Sequence, residues 1–134
     1  MHIKYPIQPN KCMKKFPISL LTVTAIIILS LAPIGAPEVA RDVPFADKWT
    51  HMVMYGGLAL VIGVEMWRSR QAYSMATRMA LVMLLPALLG ALMELCQAYL
   101  TTYRSGEWLD VAANTTGALL GSLPTLIRKD PKKP

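Results

Sequence analysis

The sequence predicts an all-α protein: a transmembrane bundle of four helices with both termini in the cytoplasm. Three observations lead there. The first is composition. Of 134 residues, 54% are hydrophobic and 16% charged, whereas soluble domains carry about 25% charged residues. The second is patterning. Apolar residues fall in long runs: Phe16 to Pro37 without a charge, Trp49 to Val64, Met79 to Tyr103 interrupted only by Glu94, and Val111 to Ile127. A spanning helix needs about 20 largely apolar residues, so helices are predicted over 16–35, 48–66, 77–101 and 109–127, together one domain over 16–127. A soluble core of four buried helices would show polar faces, and these runs barely do. The third is the placement of charge. Eleven of the 14 Lys and Arg residues precede the first run, lie between the second and third, or follow the fourth. The positive-inside rule then puts both termini in the cytoplasm and turns the loops 36–47 and 102–108 outward.

Each element has its own local signals. Residues 1–15 read as a cytoplasmic N-terminal extension. Met13-Lys14-Lys15 looks like a natural bacterial start, so residues 1–12 are expected to be a disordered or wrongly assigned extension. The first run is too long for the apolar part of a signal peptide, about 7–15 residues, and no small-x-small cleavage site follows, so a retained anchor is expected. Pro17 suits a first helical turn, and Pro33 and Pro37 end the helix. The loop to Ala46, with Glu38, Arg41 and Asp42, reads as ordinary solvated sequence. Asp47 is expected to cap the second helix, which ends near Glu65 and Trp67, both given an interfacial role. A basic loop, Arg68 to Thr77, follows. Pro86 is expected to bend the third helix. Ser105-Gly106 breaks the chain and starts the fourth helix, and residues 128–134 form a basic cytoplasmic tail. Cys12 and Cys96 are expected on different levels of the bundle, with no bridge and no metal-site spacing. Small residues mark the packing faces: Gly56, Ala59 and Gly63; Ala87, Gly90 and Ala91; and Ala113, Gly117, Ala118 and Gly121.

The candidate site comes from combining orientation with helix period. Residues four apart share a face. Asp47, His51 and Tyr55 form one such set, Glu94 and Gln97 a second, Asp110 and Asn114 a third. All three sets fall toward the outer ends of their helices. A carboxylate in hydrocarbon costs about 2.5–3.5 kcal/mol even on the lenient insertion scale, so Glu94 and Asp110 need partners. Arg104 is the nearest cation in sequence to both, and His51 can pair with Asp47, Glu94 or Asp110. The cluster either locks the helices in register or forms an outward-opening pocket that binds an anionic or peptide headgroup, or does acid–base chemistry with His51, Glu94 or Asp110 as the candidate catalytic groups. A third option is a metal site built from His51 and carboxylates, but no HxxxH or HExxH spacing supports it, so no metal and no cofactor are expected. No basic cluster interleaves with aromatics, so no nucleic-acid partner is expected.

The stretch DKWTHMVMYGGLAL, Asp47 to Leu60, resembles the D-K-x-x-H-x-x-x-Y-x-x-L signature of the VanZ-like family. The stretch ELCQAYLTTYRSGEWLDVAANTTGALLG, Glu94 to Gly121, is similar to that family's E-x-x-Q…R…D-x-x-x-N-x-x-G-x-x-x-G. The matching positions are Asp47, Lys48, His51, Tyr55, Glu94, Gln97, Arg104, Asp110, Asn114, Gly117 and Gly121. Tyr103 stands where a proline often precedes the family's arginine. The resemblance covers about residues 16–127 and implies a small multi-pass protein of the bacterial cytoplasmic membrane. The family is named for a member that gives resistance to the glycopeptide teicoplanin. Binding residues carried over in this way are Asp47, Lys48, His51, Tyr55, Glu94, Gln97, Arg104, Asp110 and Asn114.

Three readings of function follow. In the first, the pocket binds a membrane lipid or a lipid-linked cell-wall precursor and modulates glycopeptide sensitivity. In the second, the protein is a membrane-embedded enzyme that modifies such a precursor. In the third, the cluster only organises the bundle of a structural or transport subunit, with transport ranked last because four short helices leave little room for a solute path.

Overall fold

A computed structural model describes residues 15–33, 38–69, 72–102 and 106–129. Among these residues the fold is all-helical. Its elements are α1 (Pro17–Leu31), a single turn α2 (Glu38–Arg41), α3 (Ala46–Arg68), α4 (Met75–Leu100) and α5 (Trp108–Ile127). The four long helices match the four predicted runs, with changes at their ends. Cys12, Pro37, Arg104, Ser105, the extension to residue 14 and the tail beyond residue 129 lie outside the described residues.

The long helices alternate in direction. Ser19, near the start of α1, meets Glu65 near the end of α3. His51, near the start of α3, meets Asn114 near the start of α5 and Glu94 in the second half of α4. The first residues of α1 and the last of α5 therefore lie at the same end of the bundle, where Arg128 also sits 6.0 Å from the ring of Trp67. By length and composition α4 can cross a membrane; it is one helix of 26 residues. The predicted first span shortens to the 15 residues of α1, because the chain turns extended at Ala32, ahead of Pro33.

Side chains are distributed inside out. In α5 the buried face is Asp110, Ala113, Asn114, Gly117, Ala118, Gly121, Ser122 and Thr125, and the exposed face carries Leu119, Leu120, Leu123 and Ile127. In α4, Glu94 and Gln97 are buried while Leu84, Leu85, Leu88, Leu92 and Leu95 are exposed. An apolar core remains around Ile26, Tyr55, Leu58, Ile62, Met66 and Val82.

The small residues work as expected at the α3–α5 contact. Cβ atoms at Gly117 and Gly121 would overlap the backbone carbonyls of Met52 and Gly56 respectively. Such close approach supplies dispersion contact that bulkier residues forbid, and it sets the height of α5 against α3.

Three local expectations are corrected, and Pro86 is joined by a change of helix type. Asp47 does not cap α3. Phe45 stands at the cap position with φ 57°, in the left-handed region where few non-glycine residues go, and Asp47 falls in the first turn. The fourth helix starts at Trp108, not at Ser105 or Gly106. Gly106 precedes it, and a Cβ there would crowd the Glu94 carbonyl. Pro86 is accommodated by a π-helical turn over Ala80–Leu84, a widening that relieves the clash of the proline ring with the preceding turn. Glu65 is not merely interfacial. It is 3% exposed, and its carboxylate accepts from the backbone N–H of Ile18 at 2.7 Å and of Ser19 at 3.0 Å, so one helix caps another. At the same end, buried Arg78 donates to the carbonyl of Arg128 at 2.8 Å, a mirror-image cap on the C-terminus of α5.

Candidate functional site

The site lies at the opposite end of the bundle, where α3 and α5 begin and α4 approaches its end. The glycine contact between α3 and α5 brings Lys48 to the level of Asp110 and His51 to the level of Asn114. His51 Nδ1 is 3.0 Å from Asn114 Oδ1. With the amide oxygen accepting, Nδ1 is the donor of this contact. Glu94 enters from α4. Its Oε1 is 3.6 Å from His51 Nδ1, and its Oε2 accepts from the Glu107 N–H at 3.3 Å. Asp110 Oδ2 is 4.0 Å from His51 Nε2.

Lys48 is the cation that the carboxylates use. Its Nζ lies 2.8 Å from Asp110 Oδ1, 2.7 Å from Asp47 Oδ2 and 2.6 Å from Glu107 Oε2. Asp47 itself is exposed, and the hydrogen bond from Lys48 holds its carboxyl below the ordinary value. Asp47 therefore serves Lys48 and does not reach His51 within ion-pair distance among the described residues.

The predicted site residues thus divide. Lys48, His51, Glu94, Asp110 and Asn114 converge, with Asp47 at the rim. Tyr55 lies one turn deeper on α3, fully buried, with no partner of hydrogen-bond geometry at its hydroxyl. Gln97 points elsewhere: its Nε2 donates to the Ser30 carbonyl at 2.9 Å, tying the end of α1 to α4 and satisfying a free C-terminal carbonyl. Arg104 lies outside the described residues. Glu107 was not foreseen, although its position three residues before Asp110 puts it on the same helix face.

Among the described residues five buried polar atoms lack a hydrogen-bond partner: Glu94 Oε1, Asp110 Oδ1, Asn114 Nδ2, Tyr55 Oη and Arg128 Nε. Such atoms are costly unless satisfied; the first four belong to the site or its floor, and of these Asp110 Oδ1 has an ion-pair partner in Lys48 at 2.8 Å. Beside them a groove opens between α4 and α5, lined by Leu95, Ala98, Tyr99, Trp108 and Val111, with Glu94 in its wall.

The Lys48–Asp110 pair can be tested directly. Lys48→Met strands a carboxylate that is 6% exposed and is expected to cost about 3 kcal/mol. Asp110→Asn in the same chain should recover more than half of that loss. Thermal unfolding in detergent across the double-mutant cycle measures the coupling, and additive losses would mean the pair contributes nothing.

No family model matches the chain, and no curated protein or solved structure matches it either.

Proposed function

We propose that the protein is a VanZ-like, multi-pass protein of the bacterial cytoplasmic membrane. In this reading four helices span, both termini are cytoplasmic, and the polar site faces outward. It binds the headgroup of a lipid or lipid-linked cell-wall precursor and thereby modulates sensitivity to teicoplanin. The observation that carries this reading is the inverted distribution of side chains. In water, burial of leucine is favourable and burial of carboxylates is not, so a soluble chain would arrange α4 and α5 the other way round. The most apolar stretch of α4 is only 28% buried, and its leucines need a non-aqueous neighbour.

The charge at the site narrows the headgroup. Asp47, Glu94, Glu107 and Asp110 outnumber Lys48 and His51 among the described residues. An ammonium group, such as an aminoacyl or peptide headgroup carries, suits this surplus better than a bare phosphate does. The groove between α4 and α5 would hold an acyl chain alongside. The enzyme reading rests on His51 standing between two carboxylates, an arrangement suited to proton transfer.

His51→Gln and Asp110→Asn separate these readings. Normal membrane abundance with lost teicoplanin phenotype supports a site, and loss of abundance in both supports a purely structural cluster. Lipid extracts from deletion and wild-type cells should contain identical lipid-linked species if the protein binds without catalysis, whereas a changed species favours the enzyme. A reporter fused after Gly106 should read extracytoplasmic; a cytoplasmic signal overturns the orientation.

A further inference from the structure

We infer that His51, Glu94 and Asp110 bind one divalent transition-metal ion of the zinc class. The three side chains come from three helices, and one ligand atom from each lies within 4.8 Å of the others. The His51–Glu94 and His51–Asp110 separations, 3.6 and 4.0 Å, are too long for hydrogen bonds. They run to different ring nitrogens, Glu94 Oε1 to Nδ1 and Asp110 Oδ2 to Nε2, and the second approaches the spacing of about 3.3 Å that two ligand atoms keep around one tetrahedral zinc ion.

Unmet bonding capacity points the same way. Glu94 is 4% exposed, and its Oε1 is buried with no hydrogen-bond partner. A carboxylate oxygen withdrawn from water and left without a donor is a strong acceptor in search of a cation. The second atom of each prospective ligand is already engaged. Glu94 Oε2 takes the Glu107 N–H, His51 Nδ1 faces the Asn114 amide oxygen, and Asp110 Oδ1 takes Lys48. Outer contacts of this kind orient metal ligands and set the histidine tautomer. They leave Glu94 Oε1, His51 Nε2 and Asp110 Oδ2 uncommitted.

One imidazole and two carboxylates suit zinc-class ions better than calcium or magnesium, and no thiolate is present to draw copper(I). Lys48 opposes a cation next to Asp110, and Asp47 and Glu107, both within 2.7 Å of its Nζ, offset that charge. Three protein ligands leave a coordination position open for water or a ligand.

The test uses the full chain, purified in detergent and freed of any histidine tag, with Zn²⁺ followed by calorimetry and Co²⁺ by its visible absorption. One equivalent per chain is expected, with the intense absorption of a four-coordinate cobalt site. His51→Ala and Glu94→Gln should each weaken binding by more than about tenfold without changing the elution profile. Absence of saturable Zn²⁺ and Co²⁺ binding to the wild-type chain overturns the inference, and so does unaltered binding in both variants. If the variants aggregate, protection of His51 by Zn²⁺ against diethyl pyrocarbonate in the wild-type chain decides: protection supports the site and full modification refutes it. No headgroup is added, so this result stands apart from the outcome of the headgroup tests.

Discussion

Gly117→Leu is expected to abolish the folded protein. A Cβ at this position would overlap the backbone carbonyl and Cα of Met52. Overpacking costs about 1–3 kcal/mol when neighbouring side chains can give way. Here the obstacle is main chain in the middle of a helix, so α3 and α5 must move apart along their length. That separation would also pull Lys48 from Asp110 and His51 from Asn114. The expected result is at least a tenfold loss, corresponding to about 1.4 kcal/mol or more, of monodisperse protein in size-exclusion profiles of a fluorescent fusion. Gly57→Ala is the matched control. Nothing lies within 4 Å of a Cβ there, and replacing a helical glycine by alanine should stabilise by about 0.5–1 kcal/mol. A Gly117→Leu profile equal to wild type would show that α3 and α5 are not in close contact.

Glu65→Ala is expected to release α1 from the bundle. The Glu65 carboxylate accepts two backbone N–H groups from the first turn of α1, and the Ser19 hydroxyl as well. No side chain of α1 caps that turn, so the cap from α3 is what meets its free donors and the positive end of its dipole. Hydrogen bonds to charged groups contribute about 1.5–3 kcal/mol each, and losing the shared acceptor should cost about 3 kcal/mol or more, read as a lower Tm in detergent. Cleavage near the start of α1 by added protease should rise at the same time. Glu65→Gln keeps one acceptor oxygen and should fall between the two. The far end of α1 is held separately by Gln97 on Ser30, so the site around His51 should keep its ligand-binding behaviour in Glu65→Gln. Unchanged stability in Glu65→Ala would remove the capping role.

Much of the site was legible because helix period is a local property. His51, Glu94, Asp110 and Asn114 could be placed on faces by counting residues, and the placement of Lys and Arg brought three helix ends to one level. Lys48 was harder to place by periodicity. It does not share the stripe of Asp47, His51 and Tyr55, and it enters the cluster because a long side chain can reach across to α5. Gln97 shares a face with Glu94, yet its amide serves α1, since a small rotation of the helix assigns adjacent turns to different neighbours. The proposed metal ligands, His51 with carboxylates, had no spacing signal for a related reason. Spacing motifs such as HxxxH report ligands on one helix, whereas His51, Glu94 and Asp110 supply one each from three.

The sequence by itself determined the helices: apolar runs set their number, prolines and glycines their approximate ends, and small residues their packing faces. These depend on interactions between near neighbours in the chain. Only the tertiary structure decided which polar groups satisfy one another. Glu65 on Ser19 at the start of α1, Arg78 on the end of α5 and Lys48 on Asp110 are contacts between residues 46 to 62 positions apart. The Lys48–Asp110 contact follows from how closely α3 and α5 approach at Gly117 and Gly121. A buried charge takes whichever partner the packed helices bring within about 3 Å, and no count along the chain contains that distance.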